Sequence, residues 1–299
     1  MLTLGTNKIM NLDLGQMQDL TSYRKIAIAS WRHPRDPSTY AMLDLPVEPA
    51  LAYLAACSSK TPLTLTHYVT KIAAHCLNEY SDLNHILRMG NLYKRKQVDI
   101  FITTLLKSRK GKDLSGFVIR DVPRKPIAEI ADISKARAED LRQNRDSENR
   151  KVQQIVDAIP SWILRPLLRV QEFMQFSLNI AIPSLGMPKD RFGSAMITNI
   201  GALGIEHAFI PLSPYSRCPL IIGIGKPRRI PVVQDDKVIP ADSVIITFTF
   251  DHRYADGAHG SHLIRRFKKV FTDPVAHRRM FDDELSDPST VNDDSKPVL

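Results

Sequence analysis

From Ser243 to Phe250 the chain reads Ser-Val-Ile-Ile-Thr-Phe-Thr-Phe, a β-branched and aromatic run that marks a strand. It gives way at once to Asp251-His252-Arg253-Tyr254-Ala255-Asp256-Gly257, which is polar and closed by a glycine. Beyond it, about Ala258 to Phe271 carries Leu263, Ile264, Phe267 and Val270 at helical spacing, which predicts a final helix with those residues inward. Strand, histidine turn and helix in that order suit a general base held at the mouth of a pocket. Histidine is the side chain whose ordinary pKa lies near neutrality. Asp256 can neutralise and order the loop, and Gly257 permits the bend into the helix.

At 299 residues the chain can bury a full core, and its 43% hydrophobic and 24% charged residues are ordinary for a soluble globular protein. No stretch approaches the roughly 18 uninterrupted apolar residues of a membrane span. Asp13 and Asp19 interrupt the N-terminus, so no signal peptide is expected and the setting is read as cytoplasmic. Cys57, Cys76 and Cys218 are widely spaced and odd in number, which favours reduced, buried thiols over a disulfide framework or a metal site. The formal charge of +9 is uneven: the tail from Asp282 to Leu299 holds six acidic residues and one lysine, leaving +14 for the rest. A basic body of this kind can face nucleic acid, an acidic lipid surface, a phosphorylated cofactor or an acidic protein. Without helix-turn-helix or zinc-finger spacing, and without aromatics interleaved in a basic stripe, no nucleic acid partner is expected.

Three parts follow from these shifts in composition: a variable segment over 1–20, a catalytic domain over 21–281 and an acidic, disordered tail over 282–299. Within the domain, Ser22 caps an expected helix from Tyr23 to Arg32, and Tyr40–Leu45 reads as a strand before a helix that begins near Pro49. Thr64 to Leu87 reads as one long helix, with Val69, Ile72, Ala73, Cys76 and Leu77 on one face. Strands are expected within Asn91–Leu106 and over Leu114–Arg120, and Pro126 opens a helix with Ile127, Ile130, Ile133 and Ala136 as its stripe. After Gly193 the chain turns strand-rich again, over Ser194–Ile200, Pro219–Ile224, Arg229–Val233 and Ser243–Phe250. Between these halves, about 143–192 forms an insert with an apolar middle from Ile159 to Phe176. It reads as a helix packed on its own domain, the alternative being membrane contact through 160–176.

Asp251-His252-Arg253-x-x-Asp256-Gly257-Ala258 resembles the signature of the catalytic domain of dihydrolipoyl acyltransferases, the core subunits of 2-oxoacid dehydrogenase complexes. Gly193-Ser-Ala-Met-Ile-Thr198-Asn199-Ile-Gly201 is similar to that family's Ser/Thr-Asn-x-Gly strand end, and Pro219–Lys226 to its third motif. Tyr23–Ala27, Ser81–Asn84 and Val98–Ile100 look like its opening helix, turn and early strand, so the likeness covers roughly 20–143 and 192–275. The resemblance implies a single α/β domain of chloramphenicol-acetyltransferase-like fold, a mixed β-sheet flanked by helices. It also implies a homotrimer with active sites between subunits, and acyl transfer between coenzyme A and a thiol or hydroxyl. Carried onto this chain, His252 is the general base and Thr198 the oxyanion donor. Asp256 becomes a structural carboxylate paired with Arg24, and Asp251, Arg253, Gly257 and Asn199 are supports. Lys226, Arg228 and Arg229 are candidates for the 3′-phospho-ADP moiety of coenzyme A. A thioester already carries a good leaving group, so a base and an oxyanion donor suffice without a metal.

Neither a Gly-x-Ser-x-Gly elbow nor a phosphate-binding loop is present, and Gly223-x-Gly225 lacks the third glycine of a dinucleotide fingerprint. His252, Asp256, His259 and His262 imitate a metal spacing, but no matching carboxylate or cysteine set supports it; His259 and His262 are read as helix-face histidines, and His207 as a weaker pocket candidate. The chain departs from the family in three ways. No lipoyl domain precedes the catalytic part, so a lipoyl group or an acyl-carrier protein is expected in trans. The insert replaces a short link, and Leu114–Arg120 with its bulky Phe117 replaces a Gly-Leu-x-x-Pro-Val strand. Two other readings stay open: a scaffold or regulatory subunit of the same fold, and a membrane-associated, lipid-acting acyltransferase.

Overall fold

A computed structural model describes residues 36–57, 60–108, 111–143, 159–182 and 189–282. The expected helix over 23–32, Arg24 and the acidic tail from 283 onward lie outside the described residues. The described residues from Pro37 onward form one compact unit.

The elements run β1 (Ser38–Pro46), α1 (Glu48–Ala56), α2 (Leu65–Glu79), β2 (His85–Arg88), β3 (Asn91–Lys94), β4 (Ile100–Ser108), β5 (Gly111–Ile119) and α3 (Ile127–Arg142). There follow α4 (Ser161–Glu172), β6 (Ala195–Asn199), β7 (Leu220–Ile224), β8 (Arg228–Gln234), β9 (Lys237–Asp251), α5 (Gly257–Thr272) and α6 (Arg278–Asp282). Seven strands make one mixed sheet in the order β1-β9-β7-β6-β4-β5, with β8 added beside the first half of β9. β6 lies parallel to β4 and β7, and every other pairing is antiparallel. β2 and β3 form a separate hairpin.

Position in the sheet explains the composition of the strands. β1 alternates, with Ala41, Leu43 and Leu45 against the core and Tyr40, Met42 and Asp44 turned outward, as an edge strand requires. β7 and the second half of β9 are central, covered on both faces and buried throughout, so they can be apolar without alternation. α2 is buried along most of its length, and Tyr68 in its first turn stacks on Phe281 with ring centroids 5.0 Å apart. Its N-terminus is closed reciprocally: the Thr64 side chain takes the amide of His67, and the His67 ring takes the amide of Thr64 at 3.2 Å.

Three expectations need correction. The helix from Thr64 stops at Glu79; Ser81–Leu83 is a 3₁₀ turn, and His85–Arg88 is β2. Apolar spacing continued through this stretch, but Asn84 turns away to bond the Gln97 carbonyl and the Leu87 amide is taken by Tyr254 Oη. On α3 the buried face is Ile127, Ile130, Ala131, Ser134 and Leu141, so Ala136 is exposed. Finally, α4 and the π-helical turn Phe173–Ser177 that continues it bury none of their described side chains; Trp162, Val170 and Phe173 are 78%, 55% and 54% exposed. The described residues 161–177 of the insert therefore contribute no side chain to the buried core. No helix among the described residues is long and apolar enough to cross a membrane.

Candidate active site

His252 follows the last residue of β9, exposed, with its amide donating to the Pro37 carbonyl at 2.8 Å. The residues on either side of it clamp the turn. Asp251 is buried, and its carboxylate accepts from the Arg253 amide at 3.0 Å, from Arg253 Nε at 2.9 Å and from Arg253 Nη2 at 2.6 Å. This two-pronged grip is the strong geometry for a guanidinium and a carboxylate, and it fixes the backbone on both sides of the histidine. Burial of Tyr254 closes the next turn: its Oη accepts the Leu87 amide at 3.0 Å and donates to the Arg217 carbonyl at 3.4 Å.

Asp256 caps α5. Its Oδ1 accepts the His259 amide at 3.0 Å and lies 2.6 Å from His259 Nδ1, and these two contacts, the amide foremost, hold its carboxyl below the usual range. The carboxylate thus has partners on its own helix, while Arg24 is outside the described residues. Gly257 adopts no left-handed backbone and a side chain there would meet nothing within 4 Å, so the bend into α5 does not draw on its freedom.

Thr198, half-buried, stands near the end of β6, and Asn199 beside it donates to Thr66 Oγ1 at 3.1 Å and accepts the Ala202 amide at 3.1 Å. Strand register separates Thr198 from His252. Thr198 is level with Gly223 on β7, and Gly223 with Thr247 on β9, five residues short of the histidine. That is about 17 Å along the strands and two strand spacings across, so the two side chains of one subunit stand about 19 Å apart.

The cationic candidates divide. Arg228 is engaged by two carboxylates, Asp44 at 2.9 Å and Glu206 at 3.5 Å, whereas the side chains of Lys226 and Arg229 are exposed. The backbone beside them is tightly packed: a Cβ on Gly225 would come within 1.8 Å of the Glu206 carbonyl oxygen. His259, His262 and His207 are all exposed, and His262 sits 5.9 Å from the Tyr80 ring. Among the described residues no group of three or more His, Cys, Asp or Glu side chains is placed to hold a metal. Cys76 and Cys218 are buried, and burial pushes both thiols up to about 12, far from a nucleophilic thiolate.

Two contributors were missed by sequence reasoning, Tyr254 and Arg217. Arg217 takes a left-handed backbone (φ 51°), donates to the Leu87 carbonyl at 3.2 Å and pairs with Glu172 at the end of α4 at 2.6 Å. Nothing local in the sequence marks an arginine for that task.

Residues 188–277 match the family model of the 2-oxoacid dehydrogenases acyltransferase catalytic domain. The dihydrolipoyllysine-residue acetyltransferase component of the acetoin cleaving system of Bacillus subtilis is 23% identical over 72% of this chain and 43% of its own length. The corresponding component of the pyruvate dehydrogenase complex of Rhizobium meliloti is 24% identical over 56% of this chain and 39% of its own length. The chain therefore spans about two fifths of the length of these curated relatives. Among solved structures, a probable dihydrolipoamide acetyltransferase from Listeria monocytogenes superposes with a TM-score of 0.58 at 17% identity, covering 91% of this chain and 98% of the other. The Azotobacter vinelandii dihydrolipoamide acetyltransferase gives 0.60 at 18% identity, over 88% and 94%. The mixed sheet flanked by helices is thus the fold of those acetyltransferases, as the sequence resemblance implied. The match across 188–277 contains both the Thr198 strand and the His252 turn, so this part of the chain is similar to the 2-oxoacid dehydrogenases acyltransferase catalytic domain.

Proposed function

We propose that the protein is a coenzyme A-dependent acyltransferase that moves an acyl group between a coenzyme A thioester and a thiol or hydroxyl acceptor. His252 takes the proton of the attacking group through its imidazole, and Thr198 Oγ1 donates to the oxyanion that forms on the thioester carbonyl. The observation that carries this reading is the rigid, exposed presentation of His252 at the end of β9, between the Asp251–Arg253 clamp and the Asp256-capped helix. The separation of about 19 Å from Thr198 supports a site completed by a second subunit, hence a homotrimer in which His252 of one copy faces Thr198 of the next. Lys226 and Arg229 are the cations left to meet the phosphates of coenzyme A. The acceptor in this reading is a lipoyl group or another carrier-bound thiol.

The test is thiol release from acetyl-, propionyl- and longer acyl-coenzyme A with dihydrolipoamide as acceptor. Turnover that collapses in His252→Ala bears the reading out. A folded His252→Ala protein that turns over like wild type defeats it.

A further inference from the structure

Thr198, the proposed oxyanion donor, stands where its strand loses a neighbour. β4 pairs with β6 from Ile100 opposite Ala195 to Ile102 opposite Ile197 and no further, whereas β7 stays beside β6 as far as Asn199 opposite Ile224. From Thr198 on, the strand end therefore has a backbone partner on one edge only. That edge is closely held: the Ile200 amide donates to the Ile224 carbonyl at 3.0 Å, and a Cβ on Gly201 would come within 2.6 Å of the Gly225 carbonyl oxygen.

Asn199 supplies the second support. Its amide nitrogen donates to Thr66 Oγ1 at 3.1 Å and its oxygen accepts the Ala202 amide at 3.1 Å. One side chain thus ties the turn after β6 to the first turn of α2, 133 residues away in sequence. Thr66 is a firm anchor for that tie. The Thr64–His67 cap closes the helix end around it, and the buried Thr70 hydroxyl donates to the Thr66 carbonyl at 2.7 Å. Burial lowers the pKa of His67 to about 4, so the cap keeps one form across neutral pH.

The tie also sets a direction. Ala195 and Ile197 belong to the core that α2 helps to build, while Met196 belongs to a separate cluster with Phe101, Cys218 and Ile221. Side chains alternate along a strand, so Asn199 falls on the α2 face of the sheet and Thr198 on the other. With Asn199 committed to Thr66, the Thr198 hydroxyl is turned away from α2.

We propose that Thr66 is a positioning residue for acyl transfer, an inference that rests on the acyl-transfer reading: through Asn199 it fixes the end of β6, and with it the place from which Thr198 Oγ1 donates to the oxyanion. Thr66 touches no reacting atom, and its effect reaches the chemistry only by way of Thr198. A group displaced by about 1 Å from its productive place can cost about 10²-fold in rate.

Steady-state thiol release by the full chain, with acyl-coenzyme A and dihydrolipoamide varied in turn, tests it. Thr66→Val keeps the shape of the side chain and removes the hydroxyl, so kcat should fall by about 10- to 100-fold with KM for either substrate within about twofold. Thr66→Ser retains the hydroxyl and should keep kcat close to wild type. Thr66→Ala, a better helix former than valine, should repeat the loss and stands in if the valine variant folds poorly. The double variant separates positioning from a general defect. In Thr198→Val the donor is already gone, so adding Thr66→Val should lower kcat by no more than about twofold, where an independent structural defect would multiply the two losses. Wild-type kcat in the valine and alanine variants, a loss in Thr66→Ser as deep as theirs, or multiplied losses in the double variant overturns the inference and leaves the acyl-transfer reading standing. Wild type that releases no thiol overturns both, so the two failures are told apart.

Discussion

The distance between His252 and Thr198 makes a quantitative demand on mixed assemblies. Within one subunit the two residues lie about 19 Å apart, against the roughly 3 Å that each must keep from a reacting atom. Under the proposed mechanism each working site draws its histidine and its threonine from different copies. His252→Ala should lose its base in every site, and Thr198→Val should lose about 10²–10³ in kcat, the cost of one oxyanion donor. When the two inactive variants are unfolded together and reassembled at equal concentration, a site works only if the copy giving the histidine is the threonine variant and its neighbour the histidine variant. Random assembly meets both conditions in about a quarter of the sites of a closed ring. Initial rates of thioester loss should rise to about a quarter of wild type in the mixture, while each variant refolded alone stays silent. A mixture that remains at the sum of the two silent rates, with mixed oligomers verified by mass, would refute the two-subunit site.

Other consequences can be measured separately. Burial lowers the pKa of His67 from 6.5 to about 4, so the folded protein resists the proton that the unfolded chain accepts. Stability should be full above the unfolded value and fall as pH drops toward 4, by at most about 3 kcal/mol; His67→Gln, which preserves the reciprocal cap with Thr64, should flatten that slope in urea titrations. Arg253→Gln leaves the buried Asp251 carboxylate short of its partner and should cost about 1–3 kcal/mol while lowering kcat more than it raises KM. Gly225→Ala, which places a methyl against the Glu206 carbonyl, should destabilise by about 1–3 kcal/mol, whereas Gly257→Ala should stay within about 0.5 kcal/mol in the same denaturation assay.

The sheet was legible where burial left its mark on the chain. β9 announced itself because a central strand covered on both faces is free to be uniformly apolar, and His252 stood out because polarity returns abruptly at its end. The end of α2 was not legible, because Leu83, Ile86 and Leu87 keep a helical spacing and no glycine or proline intervenes before Gly90. What turns the chain there is a hydrogen bond from Leu87 to a tyrosine 167 residues away. The stripe on α3 was misjudged at Ala136 and Ser134, two small residues that either face of a helix accepts. Of the site, the clamp formed by Asp251 and Arg253 could be anticipated from adjacency. Arg217 could not, since its task depends on β2 and α4 arriving from distant parts of the sequence.

That arginine ties the insert to the loop that presents His252. Glu172 holds the Arg217 side chain, Arg217 and Tyr254 hold opposite polar groups of Leu87, and Tyr254 lies two residues from His252. Mechanically the insert is a strut that bears on the guanidinium of Arg217, and Arg217 passes the load through Leu87 and Tyr254 to the turn that carries His252. Shortening or cutting it would therefore be felt as play in the aim of the histidine, long before the sheet itself lost any of its order.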